Sequence, residues 1–173
     1  MSKLLIIDGH NLLFQMFFGM PSRIVGKSGG TVHGILGFTA ALLKIVRQIS
    51  PTHLLVVFDG EVSNPRKSLD EEYKANRPDY STVPDEENPF TQLDGIFSVL
   101  NHLGVRYIET VDCEADDVIT AYTAAFDGDV VISSYDSDFF QLISNRVRVF
   151  RYKGDYSAYC DADYVRQIGR AHV

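Results

Sequence analysis

Seven acidic residues occur in four short patches whose positions suit metal-assisted chemistry. The patches contain Asp8, then Asp59, then Glu114, Asp116 and Asp117, and finally Asp136 and Asp138. The first two patches directly follow apolar runs that are typical of buried strands, and residues 130–133 lead to the last patch in the same way. In an open parallel sheet, the carboxyl ends of the strands line one crevice in which ligands bind. The sequence therefore predicts that the acids converge there.

Carboxylates gathered in one crevice repel one another unless cations lie between them. Their hard oxygen atoms suit Mg²⁺ or Mn²⁺. Glu114 and Asp117 are three residues apart and share a helix face, whereas Asp116 lies about 100° round the helix from Asp117. Such a fan of carboxylates can hold two cations, and paired cations hydrolyse phosphodiesters. Each patch taken alone is ambiguous, because it could instead cap a helix or form a turn.

A second group of candidate residues is basic. It contains Arg66, Lys67, Tyr73, Lys74 and Arg77. Lys74 and Arg77 are three residues apart, hence on one helix face, beside an aromatic ring that can stack on a base. This pattern is typical of a phosphate clamp, and equally of a solvated charged helix face.

The elements that must position these groups alternate between strand and helix. Strands are expected at 3–7, His53–Phe58, 105–108 and Asp129–Ser133, and helices at 11–19, 32–50, 89–103, 114–126 and 139–143. Thr31 is expected to cap the long second helix, and Ser50 with Pro51 to end it. A hairpin is predicted around residues 154–155. This alternation predicts an α/β fold with a mainly parallel twisted sheet flanked by helices.

Residues 61–88 have a different composition from the rest of the chain. The segment is polar and charged, contains three prolines and has almost no aliphatic residue suited to a core. Long segments of this kind are usually functional or disordered, so we expect an insertion or lid at the crevice.

Composition sets outer limits on the function. The length of 173 residues and the hydrophobic content of 45% fit one domain with a real core. The formal net charge of −7 argues at first sight against a nucleic-acid partner, but seven acids belong to the predicted site and bound metal would offset them. Cys113 and Cys160 lack metal-ligand spacing and indicate a reducing compartment. The histidines have no such spacing either and are interpreted as ordinary core or surface residues.

No apolar run approaches the ~20 residues that a membrane span needs. We therefore expect a cytoplasmic, monomeric protein that does not bind membranes.

The order of the motifs resembles that of a known family. LLIIDG, FFGMP, VVFDG, YKANRP, CEADDV and SYDSDFFQLIS follow one another as in the bacterial 5′–3′ exonucleases, which include the 5′-nuclease domain of DNA polymerase I and the flap endonucleases. The resemblance covers residues 3–150. It implies a PIN-like fold with a helical arch over the metal crevice. It also implies hydrolysis of DNA at 5′ ends, flaps and branches, dependent on two Mg²⁺ or Mn²⁺ ions.

Matching positions within this resemblance assign roles to individual residues. A first metal would be held by Asp8, Asp59, Glu114 and Asp116, a second by Asp136 and Asp138, with Asp117 close to both. Lys74 and Arg77 match the arch residues that steady the scissile phosphate, and with Asp116 they form the expected catalytic set. Arg66, Lys67 and Tyr73 are expected to contact DNA. Gln15 occupies a position where family members often carry Arg, so one phosphate contact is expected to be missing.

The family pattern also continues beyond the motifs of this chain. A further acidic patch and a glycine-rich helix–three-turn–helix normally follow, and neither occurs in the sequence. We therefore expect residues 1–167 to form the catalytic domain, with a weak second metal site and weak duplex binding. Residues 168–173 correspond to the translation of a common sequencing-adapter sequence and are expected to be non-native.

Two other functions remain open at this point. A PIN-type ribonuclease would use similar acids, but the YKANRP segment argues against it. A branched-DNA-binding module without catalysis is disfavoured by the complete acids of the four patches.

Overall fold

A six-stranded, mostly parallel sheet forms the centre of the molecule. The computed structural model describes residues 2–27, 29–60, 80 and 83–171. The strands are β1 (Lys3–Asp8), β2 (His53–Phe58), β3 (Arg106–Glu109), β4 (Asp129–Ser133), β5 (Val147–Arg151) and β6 (Ala158–Cys160). Their order across the sheet is β3-β2-β1-β4-β5-β6. The first five strands are parallel, and β6 runs antiparallel to β5.

Helices cover both faces of this sheet. The α-helices are α1 (Gly9–Gly19), α2 (His33–Ile49), α3 (Leu93–His102), α4 (Ala115–Ala125) and α5 (Ala162–Ala171), and 3₁₀ turns occur at Asp85–Glu87, Pro89–Gln92 and Ser137–Leu142. None of the helices in the described part of the chain combines the length and apolarity that crossing a bilayer requires. The predicted α/β fold with a mainly parallel sheet is confirmed.

The apolar run in β1 is continuous because this strand is buried on both faces. Leu5 and Ile7 pack towards α1, α2 and α3, whereas Leu4 and Ile6 pack towards α4. Successive side chains of a strand point to opposite faces, so one run of apolar residues supplies both halves of the core. The central strands therefore hold their carboxyl ends in a fixed relation to one another.

The start of α2 differs from the prediction. Its N-cap is Val32, without a capping side chain, so the expected cap at Thr31 is wrong. The Ile35 backbone N–H instead donates to Gln92 Oε1 at 3.0 Å, and Gln92 Nε2 donates to Thr31 Oγ1 at 3.2 Å. A buried glutamine from the turn before α3 thus satisfies the helix amide, and sequence neighbours alone do not reveal this. The predicted end is confirmed, with Ser50 in a left-handed conformation (φ 49°).

Two smaller expectations are also corrected. The helix predicted at 89–103 begins only at Leu93, because Pro89–Gln92 forms a 3₁₀ turn first. The short helix predicted at 139–143 is the 3₁₀ turn Ser137–Leu142. The predicted hairpin is present as β5 and β6.

Gly60 lies where the chain leaves β2, and it has no room for a side chain. A Cβ atom at Gly60 would overlap the backbone carbonyl of Thr110, while the Gly60 N–H donates to Thr110 Oγ1 at 3.0 Å. This close approach fixes the position of Asp59 beside the loop that follows β3. Neighbouring backbone cannot move aside as a flexible side chain can.

We therefore expect Gly60→Ala to lower the free energy of unfolding by about 2 kcal/mol through this overlap, as measured by urea denaturation. Gly19→Ala is the matched control, because nothing lies within 4 Å of its Cβ position at the end of α1. Equal stability of the two variants would contradict the assigned contact.

Candidate metal centre

The four acidic patches converge at the carboxyl edge of four neighbouring strands, as predicted. Asp8 is the last residue of β1, and Asp59 directly follows β2. Glu114 is the N-cap of α4, which follows β3, and Asp136 is the N-cap of the 3₁₀ turn that follows β4. These strands lie side by side in the sheet and run in the same direction. Residues far apart in the chain therefore share one end of the sheet.

Asp8 is the buried centre of this group. Its Oδ1 accepts the Asn11 backbone N–H at 3.1 Å, and its Oδ2 accepts the buried Ser134 hydroxyl at 2.8 Å. Burial raises the pKa of Asp8, the two hydrogen bonds oppose that rise, and the charge of Asp59 adds to it. The carboxylate is therefore desolvated but held by donors from two separate elements.

Ser134 and Asn11 are positioning residues that sequence reasoning missed. Ser134 Oγ accepts the Asp136 backbone N–H at 3.0 Å while it donates to Asp8. Asn11 Oδ1 accepts the Tyr135 backbone N–H at 3.1 Å. Together they tie the acidic loop after β4 to the start of α1. The sequence offered only weak signals for these two residues: Ser134 lies two residues before Asp136, and Asn11 lies three residues after Asp8.

A hydrogen bond between two acidic residues shapes the loop after β4. Asp136 Oδ1 accepts the Asp138 backbone N–H at 2.8 Å, which begins the 3₁₀ turn. Asp136 is half-buried and Asp138 is exposed. Asp138 therefore faces solvent at the rim of the candidate metal centre.

Asp59 joins β2 to α4. Its Oδ1 accepts the Ala115 backbone N–H at 2.8 Å, so a carboxylate from a distant strand holds the first amide of the helix. Its own N–H donates to His10 Nδ1 at 3.2 Å, and its Oδ2 lies 3.6 Å from the same nitrogen. This contact of His10 with the site was not anticipated from its spacing.

Glu114 and Asp117 occupy the beginning of α4. Glu114 is buried, whereas Asp117 is exposed. The Glu114 backbone N–H approaches Asp117 Oδ2 at 3.4 Å, so the Asp117 carboxylate turns back towards the helix start. Glu114 and Asp117 thus form a capping box, in which each side chain accepts from the backbone N–H of the other residue, so the two acids lie together at the start of the helix.

Asp116 is the point at which all four patches interact. Its pKa is raised from the usual 3.8 to about 6, first by burial and then by the charges of Asp8, Asp136, Asp59 and Glu114. Like charges favour the protonated form of the carboxyl group. Asp117 and Asp138 are not among the charges that raise it.

The oxygen donors suit a hard divalent cation, although they are not gathered around one point. Within residues 2–27, 29–60, 80 and 83–171, no three His, Cys, Asp or Glu side chains form a group that could already hold a metal ion. Hydrogen bonds to backbone N–H groups or to a hydroxyl hold Asp8, Asp59 and Asp136, and mutual repulsion favours separation. A donor set composed of carboxylates still fits Mg²⁺ or Mn²⁺.

The predicted basic group cannot be placed in this geometry. Arg66, Lys67, Tyr73, Lys74 and Arg77 all lie outside the described residues. The described end of the insertion packs onto the body, since the Tyr80 ring lies 5.6 Å from that of Phe14 and 5.5 Å from that of Phe90. Gln15 donates to the Tyr152 carbonyl at 2.6 Å.

The raised pKa of Asp116 predicts a pH-dependent stability in metal-free buffer. Between about pH 4 and about pH 6, the folded state keeps a proton that the unfolded chain has lost, so stability falls as pH rises through this window. We expect Asp116→Asn to reduce this slope and to leave the part that the raised pKa of Asp8 contributes. At pH 7.5 it should stabilise the fold by about 1 kcal/mol, below the full shift because solvent screens a half-buried group.

Urea unfolding in a chelator between pH 4 and pH 8 measures this effect. Asp127→Asn is the control, because Asp127 is exposed beyond the end of α4. A variant at Asp116 that is less stable than wild type at pH 7.5 would show that repulsion does not dominate there.

The Ser134 hydroxyl predicts a second effect on stability. Ser134→Ala leaves buried Asp8 without one donor and the Asp136 N–H without its acceptor. We expect a loss of about 1–3 kcal/mol in the free energy of unfolding. Ser137→Ala, at an exposed neighbouring serine, should change it little. Similar free energies of unfolding for the two serine variants would contradict the stabilising role of the Ser134 hydrogen bonds.

Known proteins share this sequence pattern. Residues 3–169 match the family described as 5′–3′ exonuclease, N-terminal resolvase-like domain. The chain is 34% identical over 150 residues to DNA polymerase I of Mycobacterium tuberculosis (strain ATCC 25618 / H37Rv), covering 84% of this chain and 16% of that protein. It is 35% identical over 150 residues to DNA polymerase I of Caldicellulosiruptor bescii, covering 85% and 17%. The chain thus spans about a sixth of the length of these relatives.

Solved structures share the fold. The T5 D15 protein co-crystallized with metal ions superposes with a TM-score of 0.70 at 22% identity, over 99% of this chain and 61% of that one. Flap endonuclease-1 from Methanococcus jannaschii superposes with a TM-score of 0.58 at 20% identity, over 98% and 60%. The PIN-like architecture expected from the motifs is confirmed. With its motifs, its fold and a family match over nearly its whole length, this chain belongs to the 5′–3′ exonuclease N-terminal resolvase-like domain family.

Proposed function

We propose that this chain is a metal-dependent 5′ nuclease domain that hydrolyses phosphodiesters of DNA carrying 5′ ends, flaps or branches. The observation that carries the proposal is the convergence of four acidic patches on Asp116, whose pKa rises to about 6 beside their charges. A crowded group of carboxylates at the ligand-binding edge of a parallel sheet is unfavourable in itself. It becomes favourable when divalent cations bind there.

The residues that would hold metal are those of the four patches. Asp8, Asp59, Glu114 and Asp116 would form the first site, Asp136 and Asp138 would contribute to the second, and Asp117 would lie close to both. Bound Mg²⁺ or Mn²⁺ supplies Lewis-acid polarisation of a phosphate and activation of an attacking water. The T5 D15 flap endonuclease has been crystallized with DNA and metal ions, which supports the same ligand classes for this chain.

The chain's own contribution is to hold the acids where they can receive cations. The Ser134 hydroxyl and the Asn11 N–H orient Asp8. The helix α4, whose first amide is held by Asp59, brings Asp116 into the crevice. Such supporting contacts fix ligand orientation, and their loss is expected to weaken metal binding by about 10–100-fold.

The basic residues of the insertion would bind and orient the substrate. Lys74 and Arg77 would contact the scissile phosphate, and a preorganised cation aimed at developing negative charge typically accelerates such chemistry by about 10²-fold or more. Tyr73 would stack on a base, and Arg66 and Lys67 would bind the DNA backbone. A cytoplasmic location and a monomeric state remain predictions.

A nuclease assay tests the proposed function. Incubation of a labelled 5′-flap DNA and a labelled RNA hairpin with the protein should give cleavage of the DNA in Mg²⁺ or Mn²⁺ and none in chelator. We expect Asp116→Asn to reduce the rate by at least about 10³-fold, because it removes a charged ligand from the site on which two-metal chemistry depends. The stability measurements above verify that this variant is folded.

Other outcomes would identify the alternatives. Cleavage of the RNA hairpin in preference to the flap would indicate a PIN-type ribonuclease. Flap binding without metal-dependent cleavage would indicate a branched-DNA-binding module. Full cleavage by Asp116→Asn would refute the assigned metal site.

A further inference from the structure

Arg151 is a cation fixed at the same edge of the sheet as the acids. It is the last residue of β5, the strand beside β4, and the loop after β4 carries Asp136 and Asp138. Along β5, it shares a strand face with Val147 and Val149, which pack on the α4 side of the sheet. Its position therefore places it on the rim of the candidate metal centre, on the side of the loop after β4.

Two aromatic rings and one carbonyl hold its guanidinium. Its central carbon lies 4.8 Å from the Phe140 ring centroid and 5.7 Å from that of Tyr135. Nη2 donates to the Tyr135 carbonyl at 3.2 Å. Guanidinium groups stack favourably on aromatic faces, and such stacking restricts an otherwise flexible side chain.

The guanidinium keeps unused donors despite these contacts. Nε is buried and has no hydrogen-bond partner, and Nη1 forms no hydrogen bond with any described residue. In the described part of the chain, no carboxylate forms an ion pair with Arg151. A half-buried cation with unused donors in an acidic region is well suited to bind an anion.

Two other arginines of the described chain bind groups of the protein itself. Arg146 donates to the carbonyls of Phe126, Gly128 and Thr123, and Arg23 lies within ion-pair distance of acids in the 3₁₀ turn Asp85–Glu87. These contacts give Arg146 and Arg23 a structural role. The contacts of Arg151 orient its side chain but leave its charge uncompensated.

We infer that Arg151 binds a backbone phosphate of the nucleic-acid substrate beside the candidate metal centre. The inference rests on the proposed function. A nucleic-acid strand entering this crevice meets the repulsion of the acids, and a fixed cation on the rim offsets that repulsion for a neighbouring phosphate. The planar, oriented fork of arginine suits phosphate oxygens better than a mobile ammonium does.

Tyr135, whose ring lies near the Arg151 guanidinium, is itself held by two hydrogen bonds. Its hydroxyl donates to the Tyr152 carbonyl at 2.9 Å, and its backbone N–H donates to Asn11 Oδ1. The ring under the guanidinium is therefore tied to β5 and to α1. Through Tyr135, the Arg151 guanidinium is thus in contact with the loop that carries Asp136.

The test compares Arg151→Gln, Arg151→Lys and Arg148→Gln. Arg148 is the matched control, because it lies on the same strand with its guanidinium 4.8 Å from the Tyr159 ring, on the opposite face. The dissociation constant of a 5′-flap DNA is measured in Ca²⁺ at several salt concentrations. Cleavage in Mg²⁺ gives kcat and KM, and thermal unfolding reports the fold.

For Arg151→Gln, we expect about 5–10-fold weaker binding and a salt slope shallower by about 0.7–0.9, the value for one lost phosphate contact. KM should rise by a similar factor, with kcat within about 3-fold of wild type. Arg151→Lys should restore the salt slope because it keeps the charge. Arg148→Gln should match wild type throughout.

Two results would overturn the inference. In the first, Arg151→Gln leaves the salt slope of binding unchanged while the wild-type protein binds and cleaves the flap. Arg151 would then have only a structural role, and the proposed function would stand. In the second, Arg151→Lys and Arg151→Gln have the same salt slope of binding, and both lower the midpoint of thermal unfolding. Arg151 would again have only a structural role. Failure of wild-type protein to bind or cleave the flap would overturn both proposals together.

Discussion

Mutual repulsion among carboxylates at one edge of the sheet is the constraint on which this structure depends. Parallel strands bring Asp8, Asp59 and the loop of Asp136 to the same edge, and α4 adds Glu114 and Asp116. Bringing like charges together in a partly desolvated region is unfavourable, which is why the pKa of Asp116 rises to about 6. Hydrogen-bond donors at this edge offset part of that repulsion.

The chain offsets the repulsion with donors that also build the fold. Asp8 accepts from the start of α1 and from Ser134, and Asp59 accepts from the first amide of α4. Helix N-termini carry partial positive charge, so these carboxylates are placed where the backbone favours them. The bonds that hold the acids apart also connect the helices to the strands. If these acids hold metal as proposed, stability and metal binding are linked at the same atoms.

This linkage explains how a carboxylate site can be prepared without being gathered around one point. In the described part of the chain, the acids do not form a ready metal group. Cations that bind among them would relieve repulsion and would stabilise the folded state according to their affinity and concentration. A nucleic-acid substrate of the proposed kind would face the same field, with a chain net charge of −7. On that proposal, a fixed cation such as Arg151 would matter more here than it would in a basic protein.

The sequence alone determined the class of fold, the convergence of the acids and the family. Apolar runs that end in acids specify buried parallel strands, and parallel strands share one carboxyl edge, so local pattern and chain order were sufficient. Only the tertiary structure decided which neighbour each acid contacts. Ser134 reaches Asp8 across 126 residues, Gln92 replaces Thr31 at the start of α2, and the Arg151 guanidinium lies over the rings of Tyr135 and Phe140. Such contacts join separate elements by side-chain packing, which no periodicity along the chain encodes.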